Sequence, residues 1–139
     1  MNITNMNKKQ AFAYFGISQK NEVWSWSGIS DNQETVALTI WIDQCDWIKK
    51  DRKYVTSIFN KNNELWRDLP GNKERIEIIK YCINNLGSRF RAIFITPVKK
   101  GVFDETREIK SVRPYDKCFF KILEFNEITG EYRAESIRE

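Results

Sequence analysis

Residues 22–43, EVWSWSGISDNQETVALTIWID, constrain the fold of this chain more than any other stretch. Both halves are rich in aromatic and β-branched residues, and the polar residues 30–33 separate them, which is typical of a β-hairpin. Alternate side chains of a strand point to opposite sides, so the hairpin has two distinct faces. A turn centred between residues 31 and 32 predicts three cross-strand pairs: Trp24 with Thr39, Trp26 with Ala37, and Ser25 with Leu38.

One face of this hairpin is mostly aliphatic and is expected in the core: Val23, Ser25, Ser27, Val36, Leu38, Ile40 and Ile42. The other gathers three of the five tryptophans: Trp24, Trp26, Ala37, Thr39, Trp41 and Asp43. Two interpretations fit this second face. Either its tryptophans form a second core layer under a helix, or part of it is open and stacks on a base or cages a planar ligand. In the latter case Thr39 or Asp43 hydrogen-bonds the base edge.

Basic residues are the second candidate binding feature, and the net charge of +4 permits contact with nucleic acid. The candidates for phosphate contact are Lys49, Lys50, Arg52, Lys53, Arg89 and Arg91. The run at 49–53 is either a solvated loop or a phosphate contact beside the tryptophan face. The two arginines belong to a predicted strand, where they either lie at its exposed end with their stems packed down or clamp a phosphate or a base edge.

The chain contains no histidine, which excludes Ser-His and Cys-His nucleophiles and the commonest zinc ligand. Its three cysteines are widely spaced, and no glycine-rich phosphate loop is present. A weak match to metal-dependent nucleases remains, with Asp104 and Glu108 as acidic ligands and Lys110 beside the attacking water. The sequence therefore favours a binding protein over an enzyme, and we assign no catalytic residue, metal ligand or cofactor.

The remaining segments alternate between helix and strand patterns. We expect a short helix or strand at 8–15, a strand at 54–59, a helix at 74–86, a strand at 88–97, a short edge strand at 108–115 and a second hairpin at 116–137. Asn72 is the predicted N-cap of the main helix, and Gly87 ends it. The second hairpin is expected to turn its alternate residues Phe119, Lys121, Leu123 and Phe125 toward the core.

These elements predict an α+β fold within one domain, residues 1–139. We expect a curved, mostly antiparallel sheet or open β-barrel of five or six strands, with one main packing helix at about 72–86. Aromatic residues make up 14% of the chain, which argues against disorder. No apolar run reaches the length of a membrane span and no signal peptide is visible, so we expect a cytoplasmic protein that does not contact a membrane.

Several strands around one helix, a basic surface and an aromatic-lined hairpin resemble the PUA-like superfamily of small curved barrels, which includes PUA, ASCH, EVE and SRA domains. The strings YFG (14–16), WSWS (24–27), VALTIW (36–41) and TGEY (129–132) are also similar to small uncharacterised bacterial or phage domains, some of them near restriction systems. Members of the superfamily bind RNA or modified bases. The resemblance implies the same for this chain.

The leading functional hypothesis is a non-catalytic nucleic-acid-binding module that reads a modified or flipped base through its aromatic face. Its partner would be RNA or DNA. The alternative is a small phage or bacterial protein, in defence or anti-defence, that binds another protein through the same tryptophans or sequesters a nucleotide. A metal-dependent nuclease is the third hypothesis.

Overall fold

The computed structural model describes residues 6–21, 25–59, 64, 66–99 and 108–137. Within these ranges the chain has the expected α+β class: two α-helices pack on one mixed sheet of seven strands, and the sheet does not close into a barrel. The expected count of five or six strands is too low, since residues 45–48 form an edge strand that their polar pattern did not predict. No helix among the described residues is long and apolar enough to cross a membrane.

The helices and strands follow one another along the chain, and a short 3-10 turn lies between β2 and β3. They are α1 (Lys8–Tyr14), β1 (Ser27–Ile29), β2 (Val36–Trp41), the 3-10 turn (Ile42–Gln44), β3 (Cys45–Ile48), β4 (Lys53–Ser57), α2 (Pro70–Asn85), β5 (Arg89–Pro97), β6 (Ile109–Phe125) and β7 (Tyr132–Ile137). Across the sheet the order is β1-β2-β5-β6-β7-β4-β3.

Strands β2 and β5 run parallel, whereas the other neighbouring pairs are antiparallel. Parallel neighbours cannot be joined by a tight turn and need a crossover connection. Here the chain leaves β2, forms β3 and β4 at the far edge of the sheet, and returns through α2 to β5. The sheet is therefore mostly antiparallel, as expected, with one parallel pair, β2 and β5, next to the edge strand β1.

Two separate apolar clusters cover the two faces of the central strands. The cluster that includes α2 contains Val36, Leu38, Ile40, Ile78, Ile79, Phe90, Phe94 and Phe120, among others. The smaller cluster, on the α1 side, contains Ala11, Phe12, Ile17, Ala37, Ile93, Ile95 and Val112. Burial on both sides explains why β2 and β5 are apolar almost throughout, since a strand covered on both faces needs no polar positions.

The first hairpin forms, but in a different register from the one expected. Ser27 pairs with Leu38 and Gly28 with Ala37, so the predicted pairing of Trp26 with Ala37 and of Ser25 with Leu38 is wrong by two residues. The loop is longer than expected: the Ser30 N–H donates to the Thr35 carbonyl at 2.8 Å. A shift of two residues keeps each side chain of a strand on its own face, and it places Trp26 opposite Thr39, whose N–H donates to the Trp26 carbonyl.

The main helix begins earlier than predicted. Pro70 occupies its first position and Leu69 is the N-cap, so the assignment of Asn72 as N-cap is wrong. Proline suits the first turn because it has no N–H to leave unpaired there. The helix ends as expected: Leu86 is the C-cap, and Gly87 follows at φ +64°, in the left-handed region that favours glycine. The buried side of α2 includes one arginine, Arg75.

The predicted edge strand and the first arm of the second hairpin are one strand, β6, of 17 residues. Its expected core face is wrong for Phe119, Lys121 and Leu123, since Phe120 and Ile122 are buried whereas Lys121 and Leu123 are exposed. The cause is the pairing of Phe120 with Phe90, which fixes which of two adjacent phenylalanines enters the core. Beyond the irregularity between Ile122 and Glu124, Phe125 packs on the core as expected. The hairpin to β7 forms as predicted, with Gly130 at φ +86° before the second arm.

Candidate functional site

Strand pairing brings several cationic side chains to one face of the sheet. Arg89 lies opposite Lys121, Lys121 opposite Glu135, and Glu135 opposite Val55, so one row crosses four strands. Directly paired residues share a face, as do residues two apart on a strand. We define the cationic face by seven of the residues that this rule collects: Lys53, Arg89, Arg91, Phe119, Lys121, Arg133 and Glu135. The rule also places Glu124 there, and its carboxylate oxygen lies 2.8 Å from Arg133 Nη2. The opposite side of the same strands is the α2 core.

A cation–aromatic stack lies at the centre of the cationic face. The Cζ atom of Arg91 is 3.6 Å from the centroid of the Phe119 ring, and that of Arg89 is 5.1 Å from it. Contacts at these distances are attractive because the ring face carries negative charge density. Both arginines thus keep their stems on the sheet, and Phe119 is only partly buried beneath them. The stack presents a planar, charged surface to solvent.

A large bulge in β6 positions this stack. Phe120 pairs with Phe90 and Tyr115 with Ala92, so residues 116–119 of β6 lie opposite Arg91 alone. The Arg91 Nη1 donates to the Asp116 carbonyl at 3.4 Å. The Tyr14 hydroxyl, at the end of α1, donates to the Asp116 carboxylate, and this hydrogen bond raises the pKa of Tyr14. Bulges are frequent beside functional sites because they redirect side chains.

The basic run lies in the turn between β3 and β4. Lys49, Lys50 and Arg52 are exposed there. Lys53 begins β4 on the cationic face, and its Nζ is 2.6 Å from a Glu135 carboxylate oxygen. The three turn residues are therefore available to solvent, whereas the charge of Lys53 is already balanced by an acid.

The predicted tryptophan face is not a single surface. Trp41 packs partly buried against the α1-side cluster, and the Trp26 ring lies against Arg75 of α2. Thr39 is buried, and its hydroxyl donates to the Trp26 carbonyl at 3.0 Å. Trp24 lies outside the described residues, and Asp43 is partly buried in the 3-10 turn. The structure thus places Trp26 and Trp41 in two different clusters.

Arg75 forms a second unusual arrangement, inside the protein. Its exposed fraction is 7%, and its Cζ atom is 5.1 Å from the ring of Trp26, 5.3 Å from Trp66 and 5.6 Å from Tyr132. We call these three rings the aromatic cage. The Nη2 atom donates to Asn72 Oδ1 at 3.1 Å. Burial lowers the pKa of Arg75 and raises that of Tyr132 to about 12.

Groups that could support catalysis are scarce in the described part of the chain. No three potential metal ligands among Cys, Asp and Glu come together there. Burial raises the pKa of Cys45 and of Cys82 to about 12, so both thiols stay protonated at neutral pH and are poor nucleophiles. Of the nuclease candidates, Glu108 is exposed just before β6, and Asp104 lies outside the described residues.

The sequence patterns identify Arg89 and Arg91, but not the other residues of the cationic face or Arg75 with its aromatic cage. The alternation of β6 predicts Phe119 and Lys121 in the core, whereas both belong to the cationic face. Arg75 was overlooked on α2. Its spacing of three and four residues from Ile78 and Ile79 is the signal that could have placed it on the buried side.

Comparison with known proteins finds no family, no curated protein and no solved structure that matches this chain. The resemblance to the PUA-like superfamily therefore stays a prediction. The charges, rings and contacts of the chain itself are the basis for a functional proposal.

Proposed function

We propose that the protein is a non-catalytic nucleic-acid-binding module that contacts its ligand through the cationic face and the adjoining turn at 49–52. The observation that carries the proposal is the stack of Arg89 and Arg91 on Phe119 in the middle of a sheet face. Nucleic-acid surfaces combine cations for the phosphates with planar groups for the bases, and this stack contains both.

The phosphate-contacting role falls to the exposed cations. Arg89 and Lys121 are exposed neighbours on β5 and β6, and three more cations lie in the turn between β3 and β4. Adjacent strands are about 4.8 Å apart, so the row from β5 to β4 spans about 14 Å. That length allows several phosphates of one strand to be contacted at once, which makes binding depend strongly on salt concentration.

The base-contacting role falls to the Arg91–Phe119 stack in place of the tryptophans. Arginine guanidinium planes and phenylalanine rings both stack on unpaired bases. Trp26 and Trp41 are each engaged in a cluster of the protein's own side chains. We therefore propose Phe119 and Arg91 as the stacking groups, and the bases that they contact as unpaired ones.

The test is fluorescence anisotropy with labelled single-stranded RNA, single-stranded DNA and duplex DNA, at low and moderate salt. We expect Arg89→Gln/Arg91→Gln to weaken binding at least tenfold, about 1.4 kcal/mol, with a shallower salt dependence. The matched control is Lys73→Gln/Lys80→Gln, which removes the same charge from α2 on the other side of the sheet and should change affinity less than about twofold. Equal losses for the two double variants would refute the proposed face.

Binding of a protein partner is a second candidate, favoured by one observation. Trp47, on the edge strand β3, is 53% exposed and packs edge-on against Tyr54, with ring centroids 4.9 Å apart. Exposed aromatic residues are frequent anchors of protein interfaces. A partner that is captured equally well at low and high salt, and lost with Trp47→Ala, would support this candidate over nucleic acid.

A further inference from the structure

We propose that Arg75 is the receptor of a small oxyanion, a phosphate or carboxylate group, held between α2 and the aromatic cage. This site is separate from the cationic face. It uses a buried arginine on the opposite side of the sheet and depends on none of the exposed cations.

The first argument is charge. Arginine remains protonated in proteins, so a buried guanidinium brings a full positive charge into the interior. A buried charge is costly unless a counter-charge or hydrogen bonds compensate it. Among the ion pairs of the described residues none includes Arg75, and its only hydrogen-bond acceptor there is the neutral amide oxygen of Asn72.

The second argument is the set of unused donors. The Arg75 Nε atom is buried and has no hydrogen-bond partner within the described ranges. Aromatic rings attract the cation through their faces, but they leave the Nε–H without an acceptor. An oxyanion accepts hydrogen bonds from Nε and a terminal nitrogen together, in the bidentate geometry that suits carboxylate and phosphate.

The third argument is a second buried polar group without a partner, on strand β1, which packs against α2. Ser27 follows Trp26 in sequence and pairs with Leu38, a residue of the cluster that contains α2. Its buried hydroxyl also has no hydrogen-bond partner in the described part of the chain. A hydroxyl donor on β1 and a guanidinium on the facing helix together fit an anion better than they fit an apolar ligand.

The test observes the Nε–H group directly. Wild-type protein labelled with 15N is titrated with inorganic phosphate, with acetate and, at matched ionic strength, with chloride, while the Arg75 Nε–H resonance and tryptophan fluorescence are followed. We expect a saturable shift and a fluorescence change with phosphate or acetate, and neither with chloride. A resonance that does not move with either oxyanion would overturn the proposal.

Two variants complete the design. Arg75→Lys retains the charge but cannot form the bidentate hydrogen bonds, and we expect it to weaken oxyanion binding at least tenfold. Unchanged affinity in a folded Arg75→Lys protein would also overturn the proposal. In Arg89→Gln/Arg91→Gln, inorganic phosphate should shift the Arg75 Nε–H resonance with the wild-type affinity. The two proposals can therefore fail independently of each other.

A further arm separates the sources of the oxyanion. If oligonucleotides with a terminal phosphate shift the Nε–H resonance of the double variant and unphosphorylated ones do not, the phosphate belongs to a nucleic-acid end. If only free phosphate or acetate shifts it, the ligand is a small molecule. Either result supports the receptor role of Arg75.

Discussion

Replacing Asn72 by alanine is expected to destabilise the protein by about 3 to 5 kcal/mol. The Asn72 side chain is fully buried and joins three parts of the molecule. Its Nδ2 donates to the carbonyls of Arg67 and Thr129, each at 2.9 Å, and its Oδ1 accepts from Arg75 at 3.1 Å. It thus ties α2 to the segment before the helix and to the β6–β7 turn.

The magnitude follows from the groups left behind. Each backbone carbonyl loses a hydrogen bond of about 1 kcal/mol, and the Arg75 guanidinium loses one of about 1.5 to 3 kcal/mol because it is charged. For a chain of this size 1 kcal/mol corresponds to roughly 3 to 4 °C, so Tm should fall by about 10 to 20 °C.

The assay is urea unfolding followed by tryptophan fluorescence and far-ultraviolet circular dichroism. The midpoint should fall while the denaturant slope stays constant, since the surface exposed on unfolding is nearly the same. Lys73→Ala, an exposed neighbour on the same helix, is the control and should cost under about 0.5 kcal/mol. A loss below about 1 kcal/mol for Asn72→Ala would refute the bridging role.

Gly130 provides a second check on the same contact. A Cβ atom at this position would lie 2.3 Å from Asn72 Oδ1, and the backbone there has φ +86°. Gly130→Ala should therefore destabilise the wild type through both clash and backbone strain, but the Asn72→Ala variant through strain alone. Additive effects in the double-mutant cycle would show that the two groups are not in contact.

Three further predictions concern the α1 side and the thiols. Gly28→Ala should cost about 1 to 3 kcal/mol in urea unfolding, because its Cβ would lie 2.4 Å from Ile17 Cγ2; a neutral effect would contradict this packing. Phe12→Ala, at a fully buried ring of α1, should cost about 3 to 5 kcal/mol in the same assay, and a loss under half of that would mean that α1 is not docked. The pKa of Cys45 and of Cys82 is raised to about 12 in the folded protein, from about 9 in the unfolded chain. Both thiols therefore contribute stability that is fully present below about pH 9 and is lost as the pH rises from about 9 to about 12. Iodoacetamide at pH 8, read by mass spectrometry, should modify them far more slowly in folded than in urea-unfolded protein; equal rates would contradict the burial.

The elements that sequence predicted well are those whose signals are local. The end of α2 follows from Gly87, which adopts the left-handed conformation next to the last turn. The alternation of β5 follows from a period of two, with Phe90 and Phe94 on one face and Ile93 and Ile95 on the other. Such patterns reflect the geometry of a single helix or strand and need no partner.

The errors concern contacts with distant parts of the chain. Phe119 and Phe120 are adjacent, chemically identical and equally able to enter the core, so only the pairing of Phe120 with Phe90 decides between them. The same contact determines that Phe119 joins the arginines. In the first hairpin, a loop longer by two residues moved every pair of β1 with β2. Trp26 lies just before β1 and contacts Arg75 of α2, away from Trp41.

The sequence by itself determined the fold class, the positions of most helices and strands, and the cationic character of Arg89 and Arg91. The tertiary structure alone decided the strand order, the parallel pairing of β2 with β5, the stack on Phe119 and the burial of Arg75 in its cage. The physical reason is the range of the interactions. Periodicity and turn chemistry act over a few residues, whereas a cross-strand pair or a cation among three rings requires residues tens of positions apart to meet, and only the packed chain selects which of them do.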